Sequence, residues 1–396
     1  MIKKFNTEKT KNLEKVNNVL RLFYRKSKKR SANTDAAHYR NILIIDFSLI
    51  GDMVMSIPFL KNIRFNCPNA QITLVAMPWS KVILGDQSLV DNFIIFNGKD
   101  ELASPGAWIK NRKDIRKTLR EVNKTHYDIA FEPKGDLRHM LFMRYTNADR
   151  TVSYNYTGGD YLVTDCYEPV KGIEHLIDEK LELLRLSGFS ITPYVPELKL
   201  SDAARDYVEC YKERHGLGGK VLIGIHPGAS NENKRFGKYP ELVERLSKEL
   251  SKKNRDYTFL LFESPDGESE IKSIIQTLDR THISYHIIQK SIDKYIQLVS
   301  LCNYMICNDS SASHIAAAYS IPTLVIFGAV KSETALPRGK GKVVAVSHDL
   351  DCKPCTLPQC PRGTYECIDS ITVDECMDGL REIGLIKIHN RKEARA

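Results

Sequence analysis

Short apolar runs alternate with helical segments along the first half of the chain. The runs are rich in β-branched residues, which is typical of strands buried on both faces of a parallel sheet. They comprise residues 41–45, 71–75, 92–96 and 127–131. Residues 52–66 and 107–124, which lie between runs, have the composition and spacing of helices. This alternation predicts βαβ units and a doubly wound α/β sheet.

The same pattern restarts after a connector at residues 190–200, where prolines interrupt the periodicity. A helix is expected at residues 238–252, among further apolar runs. These runs comprise residues 221–225, 257–262, 304–307 and 323–328. Parallel α/β sheets bind ligands at the carboxyl ends of their strands. We therefore expect the chemistry in the loops that follow the runs.

The domain organisation follows from these two halves. The 396 residues are too many for one ordinary core. We predict a basic extension at residues 1–38, a first Rossmann-like domain at 39–195 and a second at 196–396. The second domain would include a cysteine-rich loop and a closing helix at residues 372–384.

The N-terminal extension carries the positive charge of the chain. The first 40 residues hold twelve Lys and Arg against three acidic residues, and this difference equals the net charge of +9. Apolar residues recur there at helical spacing, at Leu13, Val16, Val19, Leu20 and Phe23. A basic amphipathic helix can lie on an anionic membrane surface, and a solvated helix or a disordered tail is the alternative. Nucleic-acid binding is not expected, because few aromatic residues are interleaved with the basic ones.

The loop after the first predicted strand, residues 46–58, contains the first candidate chemistry. Ser48, Gly51 and Asp52 lie between the strand and the following helix. Gly51 permits tight backbone geometry, and Asp52 offers a carboxylate near the helix start. The alternative interpretation of Asp52 is a helix N-cap. The loop lacks the Gly-x-Gly-x-x-Gly fingerprint of dinucleotide binding.

The loop at residues 226–236 combines small residues with polar ones. It contains the hydroxyl of Ser230 and two adjacent cations, Lys234 and Arg235. This combination suits a phosphate group, and a solvated surface loop is the alternative. The Gly-Lys-Ser/Thr sequence of a Walker loop is absent.

The loop at residues 307–318 leads from a strand into an alanine-rich helix. Ser310, Ser311 and Ser313 lie where the free N–H groups of a helix N-terminus are expected, an arrangement that suits a diphosphate. His314 falls in the first or second turn of that helix. A packed, hydrogen-bonded histidine is the alternative for this position.

Together the three loops resemble the motifs of glycosyltransferase family 9, the heptosyltransferases that build the inner core of lipopolysaccharide. The similar segments are residues 50–52 with Pro58, 226–236, 308–314 and 321–328. The resemblance extends over about residues 40–376. It implies a GT-B fold, in which two Rossmann-like domains face a cleft. The first domain would bind the acceptor and the second a nucleotide sugar, in an inverting, metal-independent transfer.

The resemblance also implies roles for single residues. Asp52 would be the general base, with Ser48 and Gly51 in its loop. The donor would be bound by Ser230, Lys234, Glu268, Asp309, Ser310 and His314. Within that set, Lys234 would contact the phosphates, with Ser230 nearby, and Glu268 would contact the ribose.

Elementary chemistry agrees with these roles. Displacement by an acceptor hydroxyl needs a carboxylate to take the proton, which Asp52 can supply. It also needs positive charge on the departing diphosphate, which Lys234, Arg235 and the helix N-terminus near Ser310 can supply. That charge makes a divalent metal unnecessary, and these loops contain no Asp-x-Asp motif. We therefore expect no required cofactor.

Two positions depart from the family pattern. Ser311 stands where glycine is usual, so the diphosphate loop is expected to differ slightly. Asp46 stands where a basic residue is common, so the acceptor contacts of the family are not carried over to it.

Half of the ten cysteines crowd the C-terminal region. Cys352, Cys355, Cys360 and Cys367 have the spacing Cys-x2-Cys-x4-Cys-x6-Cys, which can bind zinc through four thiolates. Reduced cysteines in a surface loop, or a local disulfide, are the alternatives. The scattered cysteines of the rest of the chain are expected to be buried thiols.

These features predict an enzyme, a glycosyltransferase that moves heptose from an ADP-linked donor to a lipopolysaccharide-core or related cell-envelope saccharide. One alternative is a catalytically degenerate module that binds a nucleotide or a saccharide. A nicotinamide oxidoreductase is a second alternative, which the missing glycine fingerprint disfavours. The expected partners are the nucleotide sugar, a lipid-linked saccharide and an anionic membrane surface. Without a spanning segment or a signal-like segment, we expect a cytoplasmic protein, at the cytoplasmic face of the inner membrane if it contacts lipid.

Overall fold

The computed structural model describes residues 7–24, 36–98, 110–252, 256–355, 357 and 359–387. The chain forms two compact units, Met1–Tyr194 and Val195–Ala396. Each unit contains a six-stranded sheet and helices. The predicted α/β fold class with two Rossmann-like halves is therefore confirmed.

The sheet of the first unit is parallel and reverses its strand order next to its first strand. Its strands are β1 (Asn41–Asp46), β2 (Gln71–Ala76), β3 (Asn92–Ile95), β4 (Tyr127–Glu132), β5 (Ala148–Tyr154) and β6 (Asp165–Tyr167). They lie in the order β3-β2-β1-β4-β5-β6. Strand β1 is buried along all but its first residue, as its continuous apolar sequence predicts. The reversal lies between β1 and β4.

Helices of the first unit connect these strands. They are α1 (Thr7–Phe23), α2 (Ile50–Met55), α3 (Ile57–Asn66), α4 (Pro78–Leu84), α5 (Arg112–Val122), α6 (Leu137–Met143) and α7 (Leu176–Leu186). The single helix predicted at residues 52–66 is two helices that meet at Ser56. Pro58 cannot donate the backbone hydrogen bond that would continue α2, and it is favoured near the start of a new helix.

The sheet of the second unit repeats this plan. Its strands are β7 (Val221–His226), β8 (Tyr257–Phe262), β9 (Tyr285–Ile288), β10 (Tyr304–Asn308), β11 (Thr323–Phe327) and β12 (Val343–Ser347). They are parallel, in the order β12-β11-β10-β7-β8-β9. The reversal lies between β7 and β10.

The helices of the second unit include the predicted closing helix. They are α8 (Asp202–Arg214), α9 (Tyr239–Ser251), α10 (Glu268–Arg280), α11 (Ile292–Val299), α12 (Ser311–Ala318), α13 (Ser332–Ala335), α14 (Glu366–Asp369) and α15 (Val373–Glu382). Helix α15 begins with a capping box, in which Thr372 and Glu375 each accept the backbone N–H of the other. Its buried residues join the core of the second unit.

Four strands were not predicted. Three of them, β5, β6 and β9, have no continuous apolar run, whereas β12 has one, Val-Val-Ala-Val. Strand β5 shows the reason, because it contains Arg150, whose side chain is buried. The guanidinium lies 3.1 Å from Asp165 and 3.1 Å from the hydroxyl of Tyr39. Contacts from distant residues therefore make a strand of a sequence that is locally too polar to suggest one.

Helix α1 belongs to the first unit. Leu13 is buried in the core of that unit. The side-chain oxygen of Asn17 accepts from Gly159 N at 3.0 Å, and Arg21 pairs with Asp160 at 2.5 Å. Of the alternatives for the extension, a helix is therefore what the structure shows at residues 7–23. Across the described ranges, no helix has the length and apolar content needed to cross a membrane.

The docking of α1 predicts unequal effects for two leucines of the same helix. Leu13→Ala should destabilise the first unit by about 2 kcal/mol, because Leu13 is 3% exposed. This value is at the lower end of the range for replacing a core leucine by alanine. Leu22→Ala is the matched control, since Leu22 is 83% exposed and its truncation should cost less than about 0.5 kcal/mol. Urea unfolding of both variants measures the difference. Equal stabilities would contradict the docking.

Candidate functional site

The strand-order reversals define one candidate site in each unit. In the first unit the loops after β1 and β4 diverge there, and in the second unit the loops after β7 and β10 do so. Right-handed crossovers carry the two loops to opposite faces of the sheet, which leaves a crevice at the strand ends. Asp52 follows β1, Lys234 follows β7 and Asp309 follows β10. The predicted residues therefore lie where such sheets bind ligands.

Asp52 lies in the first turn of helix α2, directly after Gly51. The N-cap residue is Leu49, so the interpretation of Asp52 as a cap is wrong. Gly51 is itself helical, and the tight backbone geometry expected there does not form. Helix α2 thus holds a partly exposed carboxylate just beyond the end of β1.

A buried ion pair anchors the loop that carries Asp52. The Nζ of Lys180, on α7, lies 3.4 Å from Asp46 Oδ2 and 3.3 Å from the backbone oxygen of Asp52. The hydroxyl of Ser56 contacts the same Nζ, and it lies 2.9 Å from the Asp46 carboxylate and 3.0 Å from the Asp52 oxygen. The side chains of Lys180 and Asp46 are 8% and 2% exposed. This cluster fixes the backbone of Asp52 from inside the unit.

The ion pair accounts for the acidic residue that departs from the family pattern. Burial raises the pKa of Asp46, but the charge of Lys180 and hydrogen bonds from Ser48 and Ser56 outweigh that effect and hold the pKa below its usual value. Lys180, on helix α7, thus places a positive charge beside position 46. Ser48 is itself buried, and its carbonyl accepts from Trp79 Nε1 at 2.9 Å. We conclude that Ser48 stabilises the loop.

Sequence reasoning missed a buried polar network that follows β4, across the reversal from β1. The carboxylate of Glu132 accepts from Gly135 N at 2.7 Å and from the Ser153 hydroxyl at 2.7 Å. The Nδ1 of His139 lies 3.1 Å from the same carboxylate. The available signal was the polar segment at residues 133–136, directly after a buried strand. The network fixes the second loop at this reversal.

In the second unit an ion pair joins the loops at the reversal. Lys234 Nζ lies 2.7 Å from Asp309 Oδ2, and the side chains are 20% and 8% exposed. Asn308 connects the same loops, because its Nδ2 donates to the oxygen of Pro227 at 2.6 Å. Its Oδ1 accepts from the hydroxyl of Tyr239 at 3.2 Å. The structure therefore brings together Lys234 and Asp309, which come from two separate sequence motifs.

The N-terminus of helix α12 presents unused donors beside this pair. Ser310 is the N-cap, and its buried hydroxyl has no hydrogen-bond partner among the described residues. Ser313 instead bonds to the carbonyl of Ser310, with its hydroxyl at 2.7 Å. His314 is 6% exposed in the second turn of the helix, as the interpretation of a packed histidine expects. The Ser310 hydroxyl and the first N–H groups of α12 can donate to an anion.

Two glycines let neighbouring loops approach the loop of Lys234. A Cβ at Gly228 would lie 2.2 Å from the Ser264 hydroxyl, and one at Gly328 would lie 2.0 Å from the backbone oxygen of Asn233. Both distances are far below van der Waals contact. The clash at Gly328 is with backbone, so glycine is required there, whereas a side chain at position 228 would need Ser264 to change its rotamer. The loops that follow β7, β8 and β11 therefore pack closely together.

The other polar residues of the loop at residues 226–236 differ in their burial and contacts. His226 is buried at the end of β7, with Nδ1 3.3 Å from the oxygen of Phe262. Burial lowers its pKa to about 4, so the ring is neutral near pH 7. Arg235 Nε donates to the oxygen of Ala229 at 2.8 Å and so holds the loop. Ser230 is exposed, which leaves its hydroxyl accessible.

The structure pairs Glu268, the predicted ribose contact, with a neighbour on its own helix. Glu268 is exposed at the start of α10 and lies 2.6 Å from Lys272. The hydrogen bond and charge of Lys272 lower its pKa. Glu263, in contrast, directly follows β8 and is partly buried. Of the acidic residues at positions 263, 266, 268 and 270, Glu263 is the one at the strand end.

The cysteine-rich segment supports the loop of Lys234. The hydroxyl of Tyr365 donates to Glu232 at 2.6 Å. Asn233 Nδ2 donates to the oxygen of Leu357 at 2.9 Å, and Cys367 Sγ lies 3.8 Å from the oxygen of Asn233. These contacts fix Glu232 and Asn233, the two residues that precede Lys234.

The four cysteines predicted as zinc candidates remain free thiols. Cys352, Cys355, Cys360 and Cys367 form no disulfide. In the part of the chain that the structure describes, no three His, Cys, Asp or Glu side chains form a group that can hold a metal ion. The local disulfide is therefore not found among these four residues, and the zinc site stays a prediction.

The buried ion pair predicts the stability of two variants. Lys180→Met should destabilise the first unit by about 3–5 kcal/mol, because it leaves a buried carboxylate without its cation. The double variant Asp46→Asn/Lys180→Met removes both charges and should recover most of that loss. Urea unfolding at neutral pH measures both. A double variant as unstable as the single one would contradict the pairing.

The free energy of unfolding of the wild type should fall at low pH, because Asp46 then loses its charge. The pKa of Asp46 in the folded protein lies below its usual value of 3.8. Its ionised form therefore stabilises the fold fully above that value, and the contribution is lost as the pH falls through the folded pKa. This loss should be absent from the double variant.

Comparison with known proteins identifies the family. Residues 115–366 match the model of glycosyltransferase family 9 (heptosyltransferase). Lipooligosaccharide heptosyltransferase 2 of Campylobacter jejuni is 26% identical over 169 residues, which cover 42% of this chain and 52% of that protein. The chain thus spans about half the length of this relative. Lipooligosaccharide heptosyltransferase 2 of Haemophilus influenzae is 23% identical over 313 residues, which cover 75% and 86% of the two chains.

Solved structures share the fold. The glycosyltransferase family 9 protein of Veillonella parvula has a TM-score of 0.72 at 17% identity and covers 87% of this chain and 97% of its own. The ADP-heptose lps heptosyltransferase II of E. coli has a TM-score of 0.69 at 20% identity and covers 87% and 98%. These similarities confirm the predicted GT-B fold class. Because the family match covers more than half of the sequence, the chain belongs to glycosyltransferase family 9.

Proposed function

We propose that this protein is an inverting heptosyltransferase. It transfers heptose from ADP-heptose, or a related nucleotide-diphosphate sugar, to a lipid-linked saccharide of the lipopolysaccharide core or a related cell-envelope glycan. Membership of family 9 supports the reaction class. The observation that carries the proposal is the ion pair of Lys234 with Asp309. It lies next to the hydroxyl of Ser310, which has no hydrogen-bond partner in the described part of the chain.

The second unit would bind the donor. A diphosphate needs cationic and N–H donors that converge on its oxygens. The ammonium of Lys234, the hydroxyl of Ser310 and the first N–H groups of α12 provide them at one strand-order reversal. On binding, Lys234 would exchange part of its contact with Asp309 for phosphate oxygens. Asp309 would then accept from a hydroxyl of the sugar, and Glu263 is better placed than Glu268 to accept from the ribose.

Asp52 would take the proton of the attacking acceptor hydroxyl. The acceptor oxygen bonds to the anomeric carbon on the face opposite the diphosphate, while the bond from that carbon to the phosphate oxygen breaks. The configuration at the anomeric carbon therefore inverts. The hydroxyl proton passes to the Asp52 carboxylate. The electron pair remains on the diphosphate, where Lys234 stabilises it. Because this positive charge comes from the protein, the proposal requires no metal ion.

The role of Asp52 predicts a selective loss of turnover. Asp52→Asn should lower kcat by about 10²–10⁴-fold, because the amide cannot accept the proton. Donor binding, measured by the thermal shift that ADP-heptose produces, should be unchanged. Asp86→Asn is the matched control, since Asp86 is an exposed carboxylate of the same unit and should be neutral. Full activity of Asp52→Asn would exclude this residue as the base.

A turnover assay also distinguishes a transferase from a catalytically degenerate binding module of the same fold. A protein that binds nucleotide sugars but turns over none of them with a core-saccharide acceptor would contradict the proposed reaction. Retention of binding in that case would favour the degenerate module instead.

The role of Lys234 predicts a defect in both binding and chemistry. Lys234→Met should lower kcat by about 10²–10³-fold, the usual effect of removing one group that stabilises developing negative charge. It should also reduce the thermal shift that ADP produces. Lys340→Met is the matched control, because Lys340 pairs with Glu197 at an exposed site of the same unit. A shift with ADP that exceeds those with UDP and GDP supports an ADP-linked donor, and an unaltered shift in Lys234→Met would contradict the phosphate contact.

A further inference from the structure

Helix α1 has apolar residues on two different faces. Leu13 lies in the core of the first unit, and Val16 and Leu20 pack partly buried against that core. Val19, Leu22 and Phe23 lie outside the packed face, at relative positions 0, 3 and 4, which bring side chains together on a helix. We call these three residues the outer α1 face.

The outer α1 face is strongly exposed. Val19, Leu22 and Phe23 are 55%, 83% and 77% exposed. Single exposed apolar residues are common on protein surfaces. Three adjacent ones on one helix form a patch, and such patches mark interaction sites.

The packing of α1 on the first unit prevents this face from turning inward. Asn17 accepts from Gly159 N at 3.0 Å, and its backbone oxygen accepts from the Tyr161 hydroxyl at 3.1 Å. Arg21 pairs with Asp160 at 2.5 Å. These contacts hold the opposite side of the helix on the unit, so the outer α1 face is displayed to its surroundings.

Residues near the C-terminal end of α1 suit a lipid interface. Tyr145 is 50% exposed, and its hydroxyl contacts that of Tyr24, directly after α1. Tyrosine is enriched at the level of lipid headgroups, because its ring is apolar and its hydroxyl polar. Arg144 is exposed beside Tyr145 in the sequence. The first 40 residues, which include α1, carry twelve basic and three acidic residues.

We propose that the outer α1 face is a membrane-docking surface, in which Val19, Leu22 and Phe23 insert between the headgroups of a bilayer that contains anionic lipid. The basic charge of the N-terminal segment supplies the electrostatic attraction. The sequence left membrane contact open, and the structure assigns it to one face of one helix. The proposal goes beyond the proposed transferase activity and does not depend on it.

A second copy of the chain fits this face less well. Self-association through it would bring two segments of the same positive charge together, which is unfavourable. Three exposed side chains are also far fewer than the roughly 20–30 residues per partner in a stable protein interface. An anionic bilayer has neither disadvantage.

Vesicle binding of the full chain tests the proposal without any substrate. We would measure cosedimentation with vesicles of phosphatidylethanolamine and the anionic lipid phosphatidylglycerol, and with vesicles of phosphatidylcholine alone. The wild type should bind the anionic vesicles more tightly, and added salt should weaken that binding. Leu22→Ser/Phe23→Ser should lose at least about tenfold in affinity, because full burial of even one such side chain is worth about that factor.

The controls separate insertion from general effects. Phe65→Ser removes an aromatic residue that is 58% exposed on α3, and vesicle binding should not change. The melting temperature of the double variant should match the wild type, because both replaced residues are exposed. If the double variant does not fold, Val19→Ser offers a smaller change on the same face, with an expected loss of a few-fold.

Three outcomes would overturn the proposal. The first is equal binding of the wild type to anionic and phosphatidylcholine vesicles. The second is binding of the variants of the outer α1 face to anionic vesicles as tightly as the wild type. The third is a wild-type dimer in light scattering that the double variant converts to monomer, which would assign the face to a second copy. Loss of transferase activity with unchanged vesicle binding would concern the proposed function alone.

Discussion

The reversal of strand order beside the first strand of each sheet is the constraint on which both candidate sites depend. A parallel strand needs a crossover, and crossovers to opposite sides leave the ends of β1 and β4, and of β7 and β10, without a covering connection. Backbone and side-chain polar groups there can turn toward a ligand. Asp52 and the Lys234–Asp309 pair occupy these positions because the topology places them there, although the two units have different loop sequences.

The cost of burying polar groups near strand ends explains much of the first unit. Asp46 and Glu132 end neighbouring parallel strands, and both carboxylates are almost fully buried. An isolated buried carboxylate is strongly unfavourable, so each needs nearby donors. Lys180 provides a cation for Asp46, while backbone N–H groups, Ser153 and His139 surround Glu132. The same contacts fix the loops that would bind and activate an acceptor, so stability and preorganisation have one origin.

In the second unit the supporting contacts come partly from the motifs themselves and partly from the cysteine-rich segment. Asn308 bonds to the first loop, Gly228 and Gly328 permit close loop packing, and the cysteine-rich segment holds Asn233. Thiols buried against a backbone carbonyl act as small packing groups. The segment therefore contributes to the site through the position of Lys234.

The sequence by itself determined most of the strands with continuous apolar runs, the loops after them and the family, because burial and loop position leave a local pattern. It did not determine β5, whose Arg150 is neutralised by contacts formed only in the fold. Lys180 lies 134 residues from Asp46, and no periodicity links the two. The same holds for the side of α1 that packs on the first unit, since its apolar residues recur on two faces. Only the tertiary structure decides such features, because each depends on residues that are distant in the sequence and adjacent in space.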